Sequence, residues 1–302
     1  MSKLVIIFIV LLLCILPGCQ SQEQGSLKND PKTQQIIIGL IPEQNIFRQI
    51  DRYQPLADYL SSKSGLNIKL KVLPGYGNIV TNFVSSGVDG AFFGSFTYVL
   101  AHAKLGVEVL ARPENSEGTS TYYGLIFVRK DSGIKSATDM RGKRLALVDR
   151  NTTAGYLLPL EYFHAMGIKN YRAYLKEVYY AGTHEDAVYD VLNRKADIGA
   201  AKNTVFERLA AADRRIKNEL EIIERSPDVP ENGLSVRKDL DRAIKEKLKQ
   251  GLLAMDKTME GQKILKEFGA RKFIETRDED YEPVYKYVRE LNIDPQTYDM
   301  SE

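Results

Sequence analysis

Cysteine is nearly absent from this sequence, and its two occurrences, Cys14 and Cys19, lie close to the beginning of the chain. The rest of the chain has no thiol, which excludes cysteine nucleophiles, cysteine-ligated zinc and iron–sulfur clusters there. Disulfides are excluded by the same argument. Stability must therefore come from a hydrophobic core, and 302 residues are enough to build one.

Histidine is also scarce, and the three histidines, His102, His164 and His184, are widely separated. His-x-His, His-Glu-x-x-His, Gly-x-Ser-x-Gly, Walker and dinucleotide-binding motifs are all missing. His102 and His164 fall within predicted helices, where we expect packing or surface roles. A phosphatase or other hydrolase, the competing class, needs a metal cluster or a nucleophile paired with a base. We therefore expect a binding protein without catalytic residues, metal or cofactor.

No sign of charge dominates the sequence. The chain has 42 Lys and Arg residues against 40 Asp and Glu residues, a net charge of +2, so no nucleic-acid partner is expected. Tryptophan is absent, whereas tyrosine occurs 17 times. Tyrosine combines an apolar face with a hydroxyl, which suits small polar ligands and equally suits half-buried strands.

The N-terminus has the pattern of a bacterial lipoprotein signal. Lys3 precedes an apolar run from Leu4 to Leu16, which is short for a membrane span but typical of an export signal. The segment Leu16-Pro17-Gly18-Cys19 resembles a lipobox, although Pro17 is an unusual residue there. We expect residues 1–18 to be a signal peptide, Cys19 to carry the lipid and 19–35 to be a flexible tether. A plain secretory signal or a short anchor is the alternative.

The body of the chain alternates strands and helices. The first half of the pattern contains, in order, Ile36–Ile41 (strand), Arg52–Ser64 (helix), Asn67–Leu73 (strand), Tyr76–Ser86 (helix), Val88–Phe93 (strand), Ser95–Leu105 (helix) and Val107–Ala111 (strand). A similar rhythm restarts after Gly118 and continues to Ile223. Such alternation predicts an α/β fold with mostly parallel sheets and flanking helices.

Two repeats of this rhythm favour two lobes. We expect 36–118 to form lobe 1, 119–232 to form lobe 2, and 233–302 to return to lobe 1 and add C-terminal helices. One large doubly wound sheet is the alternative. Either arrangement places a ligand at the carboxyl ends of the parallel strands.

The clearest candidate site is Asp149–Tyr156, which follows a predicted strand and opens a helix. The hydroxyls of Thr152 and Thr153 and free backbone N–H groups converge there with the positive end of the helix dipole, an arrangement that favours an anion. Asn151 and Ala154 complete this candidate segment. An ordinary helix N-cap is the plainer interpretation.

Other candidates occupy equivalent places. Four follow predicted strands, and three lie where the chain first crosses between the lobes. Each alone is weak, since a capping or core residue is the common case, but their shared position at one edge strengthens the hypothesis. These candidates are Tyr76, Ser95, Thr97, Ser120, Thr121, Tyr122 and His184.

These segments together resemble the phosphate/phosphite/phosphonate-binding family of ABC transporter receptors, over about 36–270. Asp149–Pro159 is similar to the family's Asp-Pro-x-Ser-Thr-Ser-Gly-Phe/Tyr-Leu-x-Pro. The resemblance implies a two-lobed periplasmic-binding-protein (type II) fold. It further implies that Thr152 and Thr153, with the N–H groups of Thr153–Gly155, hold phosphoryl oxygens.

The resemblance also implies ligand contacts from Tyr76, Tyr122 and His184, and places Ser95 and Thr97 less securely. Arg150 replaces the family's proline, and Ala154 replaces a serine, so one hydroxyl donor is missing.

Relatives that take aminoalkyl-phosphonates hold the ammonium group with carboxylates. Val205 and Asn232 stand where such acids would fall, with Lys202 nearby. An ammonium without a carboxylate would be poorly stabilised when buried. We therefore expect an amine-free ligand, namely phosphate, phosphite or a simple alkyl-phosphonate.

The implied role is capture of the oxyanion by hinge closure, followed by docking of a monomer on the permease of an importer. The implied location is the cell envelope, anchored by lipid and facing the periplasm or the exterior. A sensor that reports to a membrane kinase through the same fold is the alternative.

Overall fold

The computed structural model describes residues 34–73, 75–76 and 79–300. The predicted signal peptide, Cys19 and nearly all of the predicted tether lie outside the described residues. The thirteen strands of the described part are β1 (Gln35–Leu40), β2 (Asn67–Val72), β3 (Gly90–Phe93), β4 (Glu108–Glu114), β5 (Thr121–Tyr122), β6 (Gly124–Arg129), β7 (Arg144–Leu147), β8 (Glu177–Tyr180), β9 (Ile198–Lys202), β10 (Leu220–Arg225), β11 (Val229–Pro230), β12 (Gly233–Val236) and β13 (Lys272–Glu275).

The α-helices of the same residues are α1 (Ile46–Ser64), α2 (Ile79–Ser85), α3 (Ser95–Leu105), α4 (Leu158–Ala165), α5 (Tyr171–Tyr174), α6 (His184–Leu192), α7 (Asn203–Ala212), α8 (Arg214–Glu219), α9 (Arg242–Leu253), α10 (Met259–Phe268) and α11 (Glu282–Glu290). A π-helical turn, Thr153–Leu157, leads directly into α4. None of these helices is long and apolar enough to cross a membrane.

The strands form two main sheets. The first has six strands in the order β13-β4-β12-β3-β1-β2, with β1 to β4 running in one direction and β12 and β13 in the other. The second has five strands in the order β10-β6-β9-β7-β8, and β6 alone opposes the rest. The expectation of mostly parallel sheets is confirmed.

Two connections join the sheets, and they pair with each other. The chain leaves the first sheet after β4 and returns to it before β12. Within these two connections, β5 and β11 form a two-stranded antiparallel ribbon, in which Tyr122 pairs with Val229. This ribbon supports the predicted division near 118 and 232, which stays a prediction.

Local sequence explains most element boundaries. Helix α1 begins at Ile46 rather than at the predicted Arg52, because the Asn45 side chain caps it by accepting from the N–H groups of Phe47 and Arg48. Helix α2 begins at Ile79 rather than at Tyr76. Helix α3 has its predicted bounds and ends at Gly106, which adopts the left-handed conformation that glycine favours.

Apolar clusters hold the sheets, and one of them continues from Phe93 of the first sheet to Phe127 of the second. Helices α1, α9 and α10 pack on the first sheet through a cluster that includes Leu56, Leu248 and Leu265. Residues of β6, β7 and β9 pack against α4 through a cluster that includes Phe163 and Leu147. These layers leave the carboxyl ends of β1, β3, β7, β8 and β9 free to form a site.

Candidate functional site

A small pocket lies where the carboxyl ends of five strands from both sheets meet. Its cavity volume is about 10 Å³, on the scale of one water-sized sphere. Seven of the predicted site residues line it, together with others that include Glu43, Lys202 and Asn232. The seven are Tyr76, Thr97, Tyr122, Thr152, Thr153, Ala154 and His184.

The loop after β7 presents a helix start to this pocket. The Asn151 N–H donates to the Asp149 carboxylate at 2.8 Å, and the Thr152 hydroxyl donates to the Asp149 carbonyl at 2.6 Å. The N–H groups at the first turn that follows have no helical carbonyl to bind, because no full turn precedes them. They therefore offer donors to an anion.

Gly155 lets this turn pack tightly on the strand. A Cβ there would lie 2.4 Å from the Val148 side chain and 2.8 Å from Thr152 Oγ1, far inside contact distance. The Val148 N–H donates to the Gly155 carbonyl at 3.0 Å. A side chain at position 155 would thus push the amide donors away from the sheet edge.

The two threonines have different roles. The single hydroxyl proton of Thr152 is used within the loop, so its oxygen cannot also donate to a ligand. Thr153 Oγ1 instead accepts the Phe96 N–H at 2.8 Å, and the Tyr122 hydroxyl is a further hydrogen-bonding neighbour of Thr153. Phe96 lies in the first turn of α3, which follows a strand of the first sheet, so the bond from its N–H also links the two halves of the site.

Tyr76 brings a phenol that no described residue satisfies. Its side chain is 2% exposed, and its hydroxyl has no hydrogen-bond partner among the described residues. Burial raises the pKa of Tyr76 well above its usual value, so the hydroxyl stays protonated and can donate. A buried donor without a partner in a pocket indicates a ligand position.

His184 is buried in the first turn of α6. Thr183 caps α6 by accepting from the Asp186 N–H, which fixes His184 in the first turn. His184 Nδ1 lies 3.2 Å from the Lys202 N–H, which donates to it, so the ring proton sits on Nε2. Burial lowers the pKa of His184 to about 4, which leaves a neutral donor at neutral pH.

The remaining predicted residues are engaged elsewhere. Ser95 donates to the Pro230 carbonyl, and Ser120 donates to the Pro113 carbonyl at 2.7 Å. Thr121 donates to the Asp228 carboxylate at 2.8 Å. Asn151 Nδ2 donates to Asp149 and to the Met300 carbonyl. None of these four lies among the residues that line the pocket, and their bonds instead fix the crossing segments and the loop.

The structure corrects the expectation that carboxylates are missing. Val205 is a core residue, but Glu43 and Glu231 place two carboxylates against Lys202. Lys202 Nζ lies 3.4 Å from Glu43 Oε1 and 3.0 Å from Asn232 Oδ1, and it contacts Glu231 more closely. Burial acts to raise the pKa of Glu43, but the surrounding positive charges, Lys202 first among them, together outweigh it and the pKa falls to about 2.

A larger cavity of about 460 Å³ lies beyond Lys202. Glu43, Lys202 and Asn232 line both cavities and so form the wall between them. Arg52 and Arg208 also line the outer cavity, and neither makes an ion pair with a described acid. Burial and the nearby Arg52 lower the pKa of Arg208. The lining of the outer cavity is mixed: Arg52, Lys202 and Arg208 face the carboxylates of Glu43, Glu207, Glu231 and Glu267.

Two contributions had no signal in the sequence. Glu43 follows β1 without any motif, and both its partner Lys202 and the other acid on Lys202, Glu231, are far away in the chain. The C-terminal residues were likewise unexpected: the Tyr298 hydroxyl donates to the Arg150 carbonyl at 2.7 Å and so holds the loop of the helix start. Among the described residues, no cluster of His, Cys, Asp and Glu is suited to a metal ion.

Comparison with known proteins gives a consistent result. Residues 38–281 match the family model described as ABC transporter, phosphonate, periplasmic substrate-binding protein. The phosphonates-binding periplasmic protein of Escherichia coli (strain K12) is 26% identical over 252 residues, which cover 82% of this chain and 73% of that protein. The phosphate-import protein PhnD of Mycolicibacterium smegmatis is 25% identical over 210 residues, covering 66% of this chain and 64% of that protein.

A solved structure shares the fold. PhnD1 of Prochlorococcus marinus in complex with methylphosphonate superposes with a TM-score of 0.77 at 22% identity, covering 86% of this chain and 99% of that one.

Proposed function

This chain belongs to the family of periplasmic substrate-binding proteins of ABC phosphonate transporters, and on that premise we propose that it captures a small, amine-free phosphorus oxyanion for an importer. The predicted two-lobed type II fold of this family is confirmed. Members are binding components of transporters rather than enzymes, and they work outside the cytoplasm. Phosphate, phosphite and simple alkyl-phosphonates are the ligands that we propose.

One observation carries the choice of an oxyanion: hydrogen-bond donors converge on the pocket, and the buried Tyr76 phenol among them has no partner among the described residues. The Tyr76 phenol, the Thr153 hydroxyl, His184 Nε2–H and the first-turn amides all face a space of about 10 Å³. A tetrahedral anion accepts from several directions at once, and charge-assisted hydrogen bonds are the strong ones. The Lys202 ammonium adds a positive charge at the wall.

The volume and the wall support a ligand without an amine. The inner pocket has no room for a long substituent while Lys202 separates it from the outer cavity. Both nearby carboxylates already hold the Lys202 ammonium. The structural relative from Prochlorococcus marinus binds methylphosphonate, which has no amine.

We further propose capture by hinge closure. Bonds cross between loops of the two sheets around the pocket: the His184 N–H donates to the Glu43 carbonyl at 3.1 Å, and the Asn45 N–H donates to Glu185 at 2.9 Å. Arg48 and Glu185 add an ion pair at 3.0 Å. Because the pocket is enclosed, a ligand must enter before these contacts form, and bending of the β5–β11 ribbon is the motion that we propose.

Calorimetry of the signal-free protein tests the ligand class. Phosphate, phosphite, methylphosphonate, 2-aminoethylphosphonate and sulfate are compared at equal pH and salt. We expect tight binding of one or more amine-free phosphorus oxyanions, and loss of most affinity in a Thr152→Ala/Thr153→Ala double variant. Tightest binding of the aminated compound, or full affinity in the double variant, contradicts the proposal.

Membrane attachment and closure need separate tests. We propose that Cys19 carries the lipid, so metabolic labelling with a fatty acid should mark the full chain and leave a Cys19→Ser variant unlabelled. Solution X-ray scattering should give a smaller radius of gyration with ligand than without it. Equal scattering curves in both states contradict hinge closure.

A further inference from the structure

The wall between the two cavities has the composition of a binding site for an ammonium ion. Lys202 Nζ contacts one oxygen each from Glu231, Glu43 and Asn232. The nitrogen also lies 4.3 Å from the centroid of the Tyr122 ring. An ammonium has three N–H donors, so three oxygen acceptors satisfy it fully, and the aromatic face adds a favourable cation–π contact.

The site is largely buried, and its two carboxylates outnumber the single ammonium. Lys202 is 3% exposed and Glu43 is 5% exposed. Burial acts to lower the pKa of Lys202, but the carboxylates of Glu231 and Glu43 overcome this effect and raise it, so the lysine stays charged. The two acids and the amide are fixed in part by one another, since Asn232 Nδ2 donates to Glu43 Oε1 at 2.9 Å.

The ammonium belongs to the protein, but it stands at the edge of the pocket for the ligand. Lys202 lines the inner pocket beside Thr153 and His184, and the backbone N–H of Lys202 donates to His184 Nδ1. An amine attached to an oxyanion in the inner pocket by a short carbon arm would have to enter this same set of acceptors. While Lys202 is present, the acceptors are occupied and a second ammonium meets a like charge.

We propose that Glu43, Glu231, Asn232 and Tyr122 form a site for a primary ammonium group, and that Lys202 fills it as a tethered substitute for the amine of an aminoalkyl-phosphonate. Lys202 is then the residue that sets specificity for amine-free ligands. This inference rests on the proposed capture of a phosphorus oxyanion. The inferred ammonium site is a second subsite for the ligand, and removal of the Lys202 side chain exposes it.

The carbon arm of a ligand also gains room in such a variant. Glu43, Lys202 and Asn232 separate the inner pocket from the outer cavity of about 460 Å³. Truncation of Lys202 to alanine removes the ammonium from the acceptors, while Asn232 Nδ2 continues to donate to Glu43 Oε1. The variant therefore offers space and two uncompensated carboxylates in the same place, which is what an aminoalkyl arm requires.

The test compares ethylphosphonate with 2-aminoethylphosphonate, which differ by the amine alone. Calorimetry is run on the wild type, Lys202→Ala and Lys202→Met. In the wild type we expect the aminated ligand to bind at least about 30-fold more weakly, the scale of one charged hydrogen bond. In Lys202→Ala we expect this preference to reverse. Lys202→Met keeps the length of the side chain without its charge and should show no reversal, because it still fills the space.

A double variant, Lys202→Ala/Glu231→Gln, is the matched control for the acceptors. It should lose about 10-fold or more of the gain for the aminated ligand, because one carboxylate becomes a neutral amide. Wild-type protein that prefers the aminated ligand, or folded Lys202→Ala that gains no affinity for it, overturns the inference.

Stability gives a readout that does not depend on the oxyanion. Removal of Lys202 leaves two buried carboxylates unpaired, so Lys202→Ala should melt at a lower temperature, and methylammonium chloride should restore part of the loss. Sodium chloride and tetramethylammonium chloride supply no N–H donors, so they should not restore the melting temperature. If the variant fails to fold, the wild-type comparison of the two phosphonates decides the inference. Wild-type protein that binds no phosphorus oxyanion instead contradicts the proposed function itself.

Discussion

Replacement of Tyr76 by phenylalanine should have opposite effects on the unliganded protein and on its complex. The Tyr76 hydroxyl is buried and has no partner among the described residues, so it lowers stability by remaining unpaired. A buried donor without an acceptor costs about 1–3 kcal/mol. Tyr76→Phe removes that cost, and at about 2–4 °C per kcal/mol the melting temperature of the unliganded protein should rise by several degrees.

The same change should weaken ligand binding. A hydrogen bond from a neutral donor to a charged oxygen contributes about 1.5–3 kcal/mol, which corresponds to about 10- to 150-fold in Kd. The phenol donates as a protonated group, since burial raises the pKa of Tyr76. Differential scanning fluorimetry without ligand and calorimetry with the tightest oxyanion measure the two effects.

Tyr281→Phe is the matched control. The Tyr281 hydroxyl is also buried without a partner among the described residues, but its ring packs on Tyr98 at 4.1 Å and does not line the pocket. This variant should be stabilised in the same way and should bind the ligand as the wild type does. Unchanged affinity in Tyr76→Phe would refute the placement of the ligand beside this phenol. A lower melting temperature of unliganded Tyr76→Phe would show that the Tyr76 phenol already has a partner.

Three further changes probe the helix start, the histidine and the outer cavity. Gly155→Ala should abolish binding and lower stability, because the added Cβ would lie 2.4 Å from the Val148 side chain. Calorimetry measures the loss of binding and urea unfolding measures the loss of stability. Normal binding would contradict the tight packing. The folded-state pKa of His184, about 4, lies below its unfolded value of about 6.5. The wild type should therefore lose about 1.4 kcal/mol of stability for each pH unit as the pH falls from 6.5 to 4.5. The loss should be smaller in His184→Asn. Urea titrations at pH 7.0, 5.5 and 4.5 would detect the difference. Arg208→Gln should slow ligand association at low salt and have little effect at high salt, because it removes one of three cations that offset the four carboxylates lining the outer cavity. Stopped-flow measurements that show no salt dependence would contradict this role.

Local chemistry made several parts of the site predictable. Thr183 and the helix it caps follow from sequence, as do the exact bounds of α3, because capping and apolar periodicity act over a few residues. The segment around Thr153 was identifiable for the same reason: a strand, a short polar loop and a helix start are adjacent in the chain. The positions of Tyr76 and His184 after strands followed from the general geometry of α/β sheets.

Hydroxyl groups show where such prediction ends. Thr152, Thr153, Ser120 and Thr121 look equivalent in the sequence, yet only the two residues Thr152 and Thr153 line the pocket, and the Thr152 proton goes to the Asp149 carbonyl. Each hydroxyl has one proton, and a partner distant in the chain decides where it goes. For Thr121 that partner is Asp228, 107 residues away.

The sequence by itself determined the alternation of strands and helices, the candidate helix start with its glycine, and the family to which the chain belongs, because these features depend on neighbouring residues. The tertiary structure alone decided that Glu43, Lys202 and Glu231 meet. Charges in water are nearly independent of one another, whereas burial forces each of them to find a partner, and the fold brings those partners from three separate segments. Which carboxylates lie beside the pocket, and that an ammonium of the chain already occupies them, was therefore settled only by folding.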